Sequence, residues 1–299
     1  MQAKINKLIP KDRDHWLEMR KPVITSTEIA ALLGVSEWGT PYSLYQYKLG
    51  GVEQDYKENE RTKWGQLLEA VVAQAAAEKL DITPVKDDYF YWSDDMRLGA
   101  SLDYRCDDGR TILECKNCDS LIFKQKFLSE GDVLLEAPLY IEMQLQQQLL
   151  LTGAEKAILV VLVGGNKLMT LERFPDKQVQ EKIIMETRKF WAMKEPPPVH
   201  SEADLEVLNQ MYNNTEHGEE IEADENLDEL LASYSKLAEI ANNADRGKKA
   251  IKAVILDTVK NAKKVFGSEY RLTRSWVKGA PVSYNREGYS TFKVTKVRT

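Results

Sequence analysis

Asp103, Glu114 and Lys116 are the residues of this 299-residue chain whose types and spacing best suit chemistry. Asp107-Asp108-Gly109-Arg110 separates two extended segments, Leu98 to Arg105 and Thr111 to Lys116, and Asp-Gly between such segments is a hairpin signal. A type I′ turn centred on Asp108 and Gly109 sets Asp103 directly across from Glu114. Cα atoms of paired residues lie about 4.5 to 5.5 Å apart, so two carboxylates there repel unless they share a cation or a proton. Lys116 follows Glu114 by two residues, so strand alternation puts both on one face and Cys115 on the other. Two acids and a lysine at one spot suit a hard cation such as Mg²⁺ with open positions for phosphate and water, the lysine orienting the water or helping to deprotonate it. Mn²⁺ takes the same oxygen ligands. A plainer reading makes the three residues ordinary charges on the exposed face of an amphipathic hairpin. Against it, the charges of Thr111-Ile112-Leu113-Glu114-Cys115-Lys116 interrupt a strand that otherwise looks buried, and buried charges need partners or a metal.

The elements that must position these residues are legible in outline. Thr25 with Glu28 forms a capping-box pattern ahead of Ile29, Leu32 and Leu33, with Gly34 to end the helix, and Pro41 opens a second short helix. Trp64 to Leu80 has helical spacing through Leu67, Leu68, Val71, Val72 and Ala75, with Glu69 as the notable charge on it. Tyr89-Phe90-Tyr91-Trp92 reads as an aromatic strand packed in a sheet, with base stacking as the lesser alternative. Residues 139–152 form a helix, and Ala157 to Val163 is a continuously apolar, β-branched run suited to a buried central strand. The helix from Val179 to Met193 ends before Pro196-Pro197-Pro198, which places a domain boundary there. Leu227 to Phe266 is helical in spacing, with Gly247 expected to divide it, and Tyr270 to Val277 with Ser290 to Val297 suggests a hairpin around Pro281.

Composition narrows the class further. With 43% hydrophobic and 29% charged residues the chain is globular, and no apolar run approaches the ~20 residues of a membrane span. A cytoplasmic protein without a membrane role is expected. Three histidines are too scattered for a zinc hydrolase, and Cys106, Cys115 and Cys118 cannot close a four-thiolate cluster, so a catalytic metal should sit on carboxylates. The net charge of -6 conceals an asymmetry: residues 200–245 carry thirteen acidic residues and one lysine, whereas residues 246–299 carry fourteen basic residues and three acidic ones. The basic segment suits either a polyanion contact or a surface folded back on the acidic one.

Asp103, ten intervening residues and Glu114-Cys115-Lys116 resemble the active-site pattern of the PD-(D/E)xK nucleases. The surrounding order resembles their phage lambda exonuclease and YqaJ-type viral recombinase branch over roughly residues 14–165. Four blocks carry the likeness: HWLEMRKPVITSTE from His15, WGQLLE from Trp64, MRLGASLDYRCDDGRTILECK from Met96, and QLQQQLLLTG from Gln144. Leu102 stands where the signature has proline, a position that shapes backbone rather than chemistry.

The resemblance implies an α/β fold, a PD-(D/E)xK core with a mixed central sheet flanked by helices over residues 1–198, followed by a helical arm and basic β-hairpin over 199–299. It implies that Asp103, Glu114 and the Cys115 carbonyl bind Mg²⁺, that Lys116 works on the water, and that Glu69 completes the acidic site. Gln144 would contact the phosphate or the water; its plainer reading is one amide in a polar helix face with Gln146, Gln147 and Gln148. Arg20 and Thr27 match the family's 5′-phosphate ligands, with threonine here for serine. A helix starting near Thr25, with Thr25 and Ser26 adding hydroxyls, would support that pocket, although simple capping explains Thr25 or Ser26 alone. The implied activity is 5′-to-3′ digestion of one strand of double-stranded DNA, leaving 3′ overhangs for recombination. A homotrimeric ring and a single-strand annealing protein as partner are implied with it. The rival readings are an endonuclease on the same core and a non-catalytic DNA-binding recombination module.

Overall fold

The computed structural model describes residues 3–54, 59–199, 201–212, 218, 220–279, 281 and 294. Its elements run β1 (Asn6–Leu8), α1 (Arg13–Arg20), β2 (Ile24–Thr25), α2 (Ile29–Leu32), α3 (Pro41–Lys48), α4 (Glu60–Leu80), β3 (Pro84–Lys86), β4 (Phe90–Ser93), β5 (Leu98–Ser101), β6 (Tyr104–Cys106) and β7 (Thr111–Cys118). They continue as α5 (Ser120–Lys126), β8 (Leu128–Glu130), β9 (Val133–Glu136), α6 (Leu139–Thr152), β10 (Lys156–Val163), β11 (Lys167–Arg173), α7 (Lys177–Trp191), α8 (Leu205–Tyr212), α9 (Glu225–Val259), β12 (Lys264–Phe266) and β13 (Arg271–Thr273). The chain forms two compact units, 1–211 and 212–299. No described helix is long and apolar enough to cross a membrane.

A five-stranded sheet in the order β11-β10-β7-β6-β3 centres the first unit. β10 lies parallel to β7 and antiparallel to β11, and β7 is antiparallel to β6, so the sheet is mixed. The apolar run expected to be a central strand is β10, where Ala157 to Val161 are all buried. α4 packs on the face that carries Leu113, Ile158 and Val160. On the other face Ile112, Leu159 and Val161 join a core shared with Ile141, Leu145 and Leu149 of α6. A second sheet, in the order β1-β4-β5-β2, adjoins α6. The expected aromatic strand is β4 within it, with Phe90 and Tyr91 buried.

Several local expectations need correction. Leu98 to Arg105 is not one strand: β5 belongs to the four-stranded sheet and β6 to the five-stranded one, with buried Leu102 at the crossing. The hairpin turn is not type I′, since only Gly109 (φ 68°) has positive φ within it and type I′ needs two such residues. Gly109 N–H instead donates to the Cys106 carbonyl, and Asp107 to Arg110 form a four-residue loop. Tyr104 nonetheless pairs with Leu113 and Arg105 with Ile112, which is the expected register. On α4 the buried face is Val72, Ala73 and Ala76, while Leu67 and Val71 are exposed, because small alanines let the helix lie close to the sheet. The boundary between the units falls at 211 rather than at the proline run: buried Asp204 accepts a hydrogen bond from the Thr40 hydroxyl, and Val207 is fully buried.

In the second unit Gly247 lies inside the continuous α9, since one helical glycine costs only about 1 kcal/mol relative to alanine. The described hairpin pairs β12 with β13, one step earlier in the chain than expected. Apart from Val294, the proposed strand Ser290 to Val297 lies outside the described residues.

Candidate active site

The chain leaves one sheet at Ser101 and enters the other at Tyr104, and Asp103 sits at that crossing, beside the start of β6. Its carboxylate accepts the Cys115 N–H at 2.7 Å, so a side chain takes the place of the ladder partner that β6 no longer provides. N–H and C=O of one strand residue leave along the same edge. The Cys115 carbonyl therefore shares the edge of β7 that faces Asp103. Glu114 and Lys116 project from the opposite face to Cys115, which packs among the residues under α4.

Glu114 is buried and fixed at both oxygens. Oε1 accepts from Lys116 Nζ at 2.5 Å and from Gln144 Nε2 at 2.6 Å, and Oε2 accepts from Gln148 Nε2 at 2.7 Å. Gln144 and Gln148 are one helical turn apart on α6, which lets both reach one carboxylate. Gln148 also donates to the Ser101 carbonyl, and Gln147 donates to the carbonyls of Ile24 and Gly99. The run expected to be one functional amide among a polar helix face is thus a buried clasp that ties both sheets to the site. Gln148 was missed by sequence reasoning, although its i,i+4 spacing from Gln144 was the available signal.

Burial, followed by the Glu114 charge, pushes the Asp103 carboxyl up to about 8. Burial would lower the Lys116 ammonium, but Glu114 and Asp103 outweigh it and hold it above the ordinary lysine range. Lys116 is therefore a cation suited to orienting water or phosphate rather than a ready proton acceptor. Glu69 lies within electrostatic reach of Asp103, but its carboxylate is paired with Lys86 of β3. Among the described residues no group of three or more His, Cys, Asp or Glu side chains is poised around one metal position. Two carboxylates and a backbone carbonyl still fit Mg²⁺, which is commonly held by one or two carboxylates and retains several waters. Lys86, not foreseen from sequence, is a further cation on the rim, with its ammonium 4.9 Å from the Tyr104 ring centroid.

The structure also gathers the residues read as phosphate ligands. Arg20 Nη2 lies 3.3 Å from Thr25 Oγ1 and 3.4 Å from Thr27 Oγ1, and its guanidinium stacks over Trp16 at 4.3 Å. Ser26 is buried beside them with its N–H on the Gly99 carbonyl. The capping reading fails, however, because Thr25 is in β2 and α2 begins only at Ile29. Half of the expected box exists: the Thr25 N–H donates to Glu28 Oε2 at 2.9 Å. Glu28 is otherwise used as a buried counter-ion, 2.9 Å from Lys48 Nζ and 3.5 Å from Arg20 Nη2. The sequence marked Glu28 only as a capping residue and did not single out Lys48. Trp16 connects this cluster to the acid site by donating its indole N–H to the Ser101 hydroxyl, two residues before Asp103.

Residues 15–155 match the family described as YqaJ-like viral recombinase domain. This span holds Arg20, Glu69, Asp103, Glu114, Lys116 and Gln144. Over that span the chain is similar to the YqaJ-like viral recombinase domain. A similar protein is "Uncharacterized protein YqaJ" of Bacillus subtilis (strain 168), 27% identical over 274 residues, covering 87% of this chain and 82% of that one. Among solved structures, an alkaline exonuclease (LHK-Exo) from Laribacter hongkongensis is 14% identical with a TM-score of 0.44, covering 66% of this chain and 96% of that one. A phage related exonuclease from Haemophilus somnus 129PT is 10% identical with a TM-score of 0.43, covering 59% and 96%. Within residues 15–155 of this chain Asp103 stands beside β6 and Glu114-Cys115-Lys116 lie on β7 of the mixed sheet.

Proposed function

We propose that this YqaJ-like protein is a Mg²⁺-dependent exonuclease that digests one strand of double-stranded DNA in the 5′-to-3′ direction, leaving 3′ overhangs for recombination. The observation that supports it most is the convergence of Asp103, Lys116 and a doubly clamped Glu114 at the edge of β7. Asp103, Glu114 and the Cys115 carbonyl would hold the cation, which supplies charge neutralisation and activation of water for phosphodiester hydrolysis. Lys116 keeps its proton and steadies charge on the phosphate. Gln144 and Gln148 hold the Glu114 carboxylate in one orientation, so that its lone pairs are preset before substrate arrives. Arg20, with the Thr25 and Thr27 hydroxyls, receives the terminal 5′-phosphate and selects for a DNA end. A single-strand annealing protein as recipient of the overhang belongs to the same reading.

The experiment is degradation of linear duplexes with and without a 5′-phosphate, beside a covalently closed circle, with Mg²⁺ or EDTA and with Lys116→Ala as control. Loss of the phosphorylated linear duplex alone, abolished by EDTA and by the substitution, is expected. Cleavage of the circle would make the protein an endonuclease, and no metal-dependent cleavage of any substrate would leave a DNA-binding module.

A further inference from the structure

α9 is 35 residues long, about 52 Å, and none of its side chains is buried among the described residues. Leu230, Leu237 and Ile251 are each more than half exposed. Such a contiguous apolar stripe on a soluble helix marks a contact surface. The stripe repeats every seven residues: Leu227, Tyr234, Ala241, Lys248 and Ile255 occupy one position of the heptad, and Leu230, Leu237, Ala244, Ile251 and Thr258 the other. Four heptads in this pattern are a coiled-coil seam.

Charge along the helix gives the direction of pairing. Residues 225–245 carry five acidic residues and one lysine, and residues 246–260 carry five basic residues and one aspartate. A parallel pair would set like charge on like charge over its whole length and Lys248 against Lys248. An antiparallel pair sets the acidic half of each helix on the basic half of the other. The seam is symmetric for that arrangement: Leu227 faces Thr258, Leu230 faces Ile255, Tyr234 faces Ile251 and Leu237 faces Lys248. Ala241 faces Ala244 at the centre, where small side chains allow the closest approach.

The second unit also holds a receptacle of matching chemistry. The basic half of α9 and the segment from Leu272 to Ser275 enclose an open groove of about 1010 Å³. Its floor is Ile251, Ile255 and Leu272, and Lys248, Lys252 and Arg274 stand around it. Its complement is an acidic helix with a leucine stripe, and residues 225–239 of this chain have that composition. We propose that α9 pairs antiparallel with α9 of a second copy of this chain, the acidic half of each helix lying in the basic groove of the other. The pairing is independent of the catalytic reading.

Full-length Leu230→Cys and Ile255→Cys chains, mixed and oxidised, should form a disulfide between the two variants. Neither variant alone should rise above the background of the unsubstituted chain, because like positions would lie about 37 Å apart along the axis. Sedimentation of the unsubstituted chain should give an even number of subunits, and Leu237→Lys, which sets like charge against Lys248 of the second copy, combined with Ile251→Lys should halve it while the thermal transition of the first unit is retained. An even count includes two three-membered rings joined by their arms. Self-cross-linking of Leu230→Cys would establish a parallel pair, and an odd assembly without the mixed disulfide would remove the pairing; either overturns the proposal. Protection of the Ile255→Cys thiol from a maleimide without a mixed disulfide would assign the groove to a different occupant and overturn it equally.

Discussion

Glu28→Gln should destabilise the first unit by about 3 to 5 kcal/mol, the usual cost of removing one partner from a buried ion pair. The magnitude follows from the surroundings. The Lys48 side chain is only 4% exposed and lies 2.9 Å from Glu28, and the Arg20 side chain is 11% exposed on the other side of the same carboxylate. Glutamine preserves the shape and can still accept the Thr25 N–H, so the loss isolates the charge. For a unit of this size each kcal/mol moves the midpoint by about 2 to 4 °C, which gives a fall of roughly 6 to 20 °C. The pH dependence has a definite sign. Burial by itself would raise the Glu28 carboxyl, but Lys48 and Arg20 outweigh it and hold it below the ordinary range. Its stabilisation is therefore present at neutral pH and is lost as pH falls through the depressed folded value. Burial pushes Lys48 below its ordinary 10.5 despite Glu28, so over the interval beneath 10.5 the unfolded chain binds more protons and stability rises with pH. Without Glu28 that interval widens, and the deficit of the variant should shrink between pH 7 and pH 10. Urea unfolding followed by tryptophan fluorescence, with Lys48→Met added in the same background, measures both effects. A loss under about 1 kcal/mol, or no recovery on adding Lys48→Met, would refute the ion-pair account.

Four further expectations follow from the acid site and its supports. Below pH 8 the folded Asp103 binds a proton that the unfolded chain releases near its ordinary 3.8, so its contribution to stability without metal is complete at low pH and is lost as pH rises through about 8. Cation binding should accordingly expel about one proton at pH 6.5 and almost none at pH 9, as read by calorimetry in buffers of different ionisation enthalpy; equal release at both pH values contradicts the assignment. Asp103→Asn should abolish metal-dependent cleavage while leaving the melting temperature at pH 8 unchanged or higher, whereas a lower melting temperature would mark Asp103 as structural. Gln148→Met removes donors to Glu114 and to the Ser101 carbonyl, and should cost about 1.5 to 3 kcal/mol in urea unfolding and roughly 10- to 100-fold in Mg²⁺ affinity. Gly99→Ala would place a Cβ 2.6 Å from Phe90 Cζ and 2.7 Å from Val23 Cγ2, and should destabilise by about 1 to 3 kcal/mol, as checked by the same unfolding curves.

What the sequence made legible was local or symmetric. β10, α6 and α7 announced themselves by apolar patterning over seven or more residues. The hairpin register was legible even though the turn type was not. A two-residue loop and a four-residue loop centred on the same peptide bond pair the same residues, so Tyr104 meets Leu113 in either case. Features set by distant partners were hidden. Thr25-x-x-Glu28 has the spacing of a capping box, yet the buried Lys48 ammonium, twenty residues later, draws Glu28 into an ion pair and leaves Thr25 extended. The stripe on α4 was assigned to its larger residues, but packing density favoured Ala73 and Ala76 against the sheet.

The crossing at Leu102-Asp103 shows why the acidic site could be located from spacing while its construction could not. Alternation along a strand says only that Glu114 and Lys116 share a face. Whether Asp103 reaches the same spot depends on where β6 starts, and that is decided by β5 belonging to a different sheet. Because β6 begins only at Tyr104, the Cys115 N–H has no ladder acceptor and the Asp103 carboxylate supplies one. The bond fixes the carboxylate beside Glu114 at the expense of burial and of repulsion by Glu114, which together raise the Asp103 carboxyl. The buried amides of α6 then serve a double purpose: Gln147 and Gln148 hold carbonyls at the edge of β5, and Gln144 and Gln148 hold the carboxylate of β7. One helix thereby fixes the distance between the two sheets whose junction creates the site, so a substitution at Gln148 should disturb fold and metal affinity together, whereas one at Asp103 should separate them.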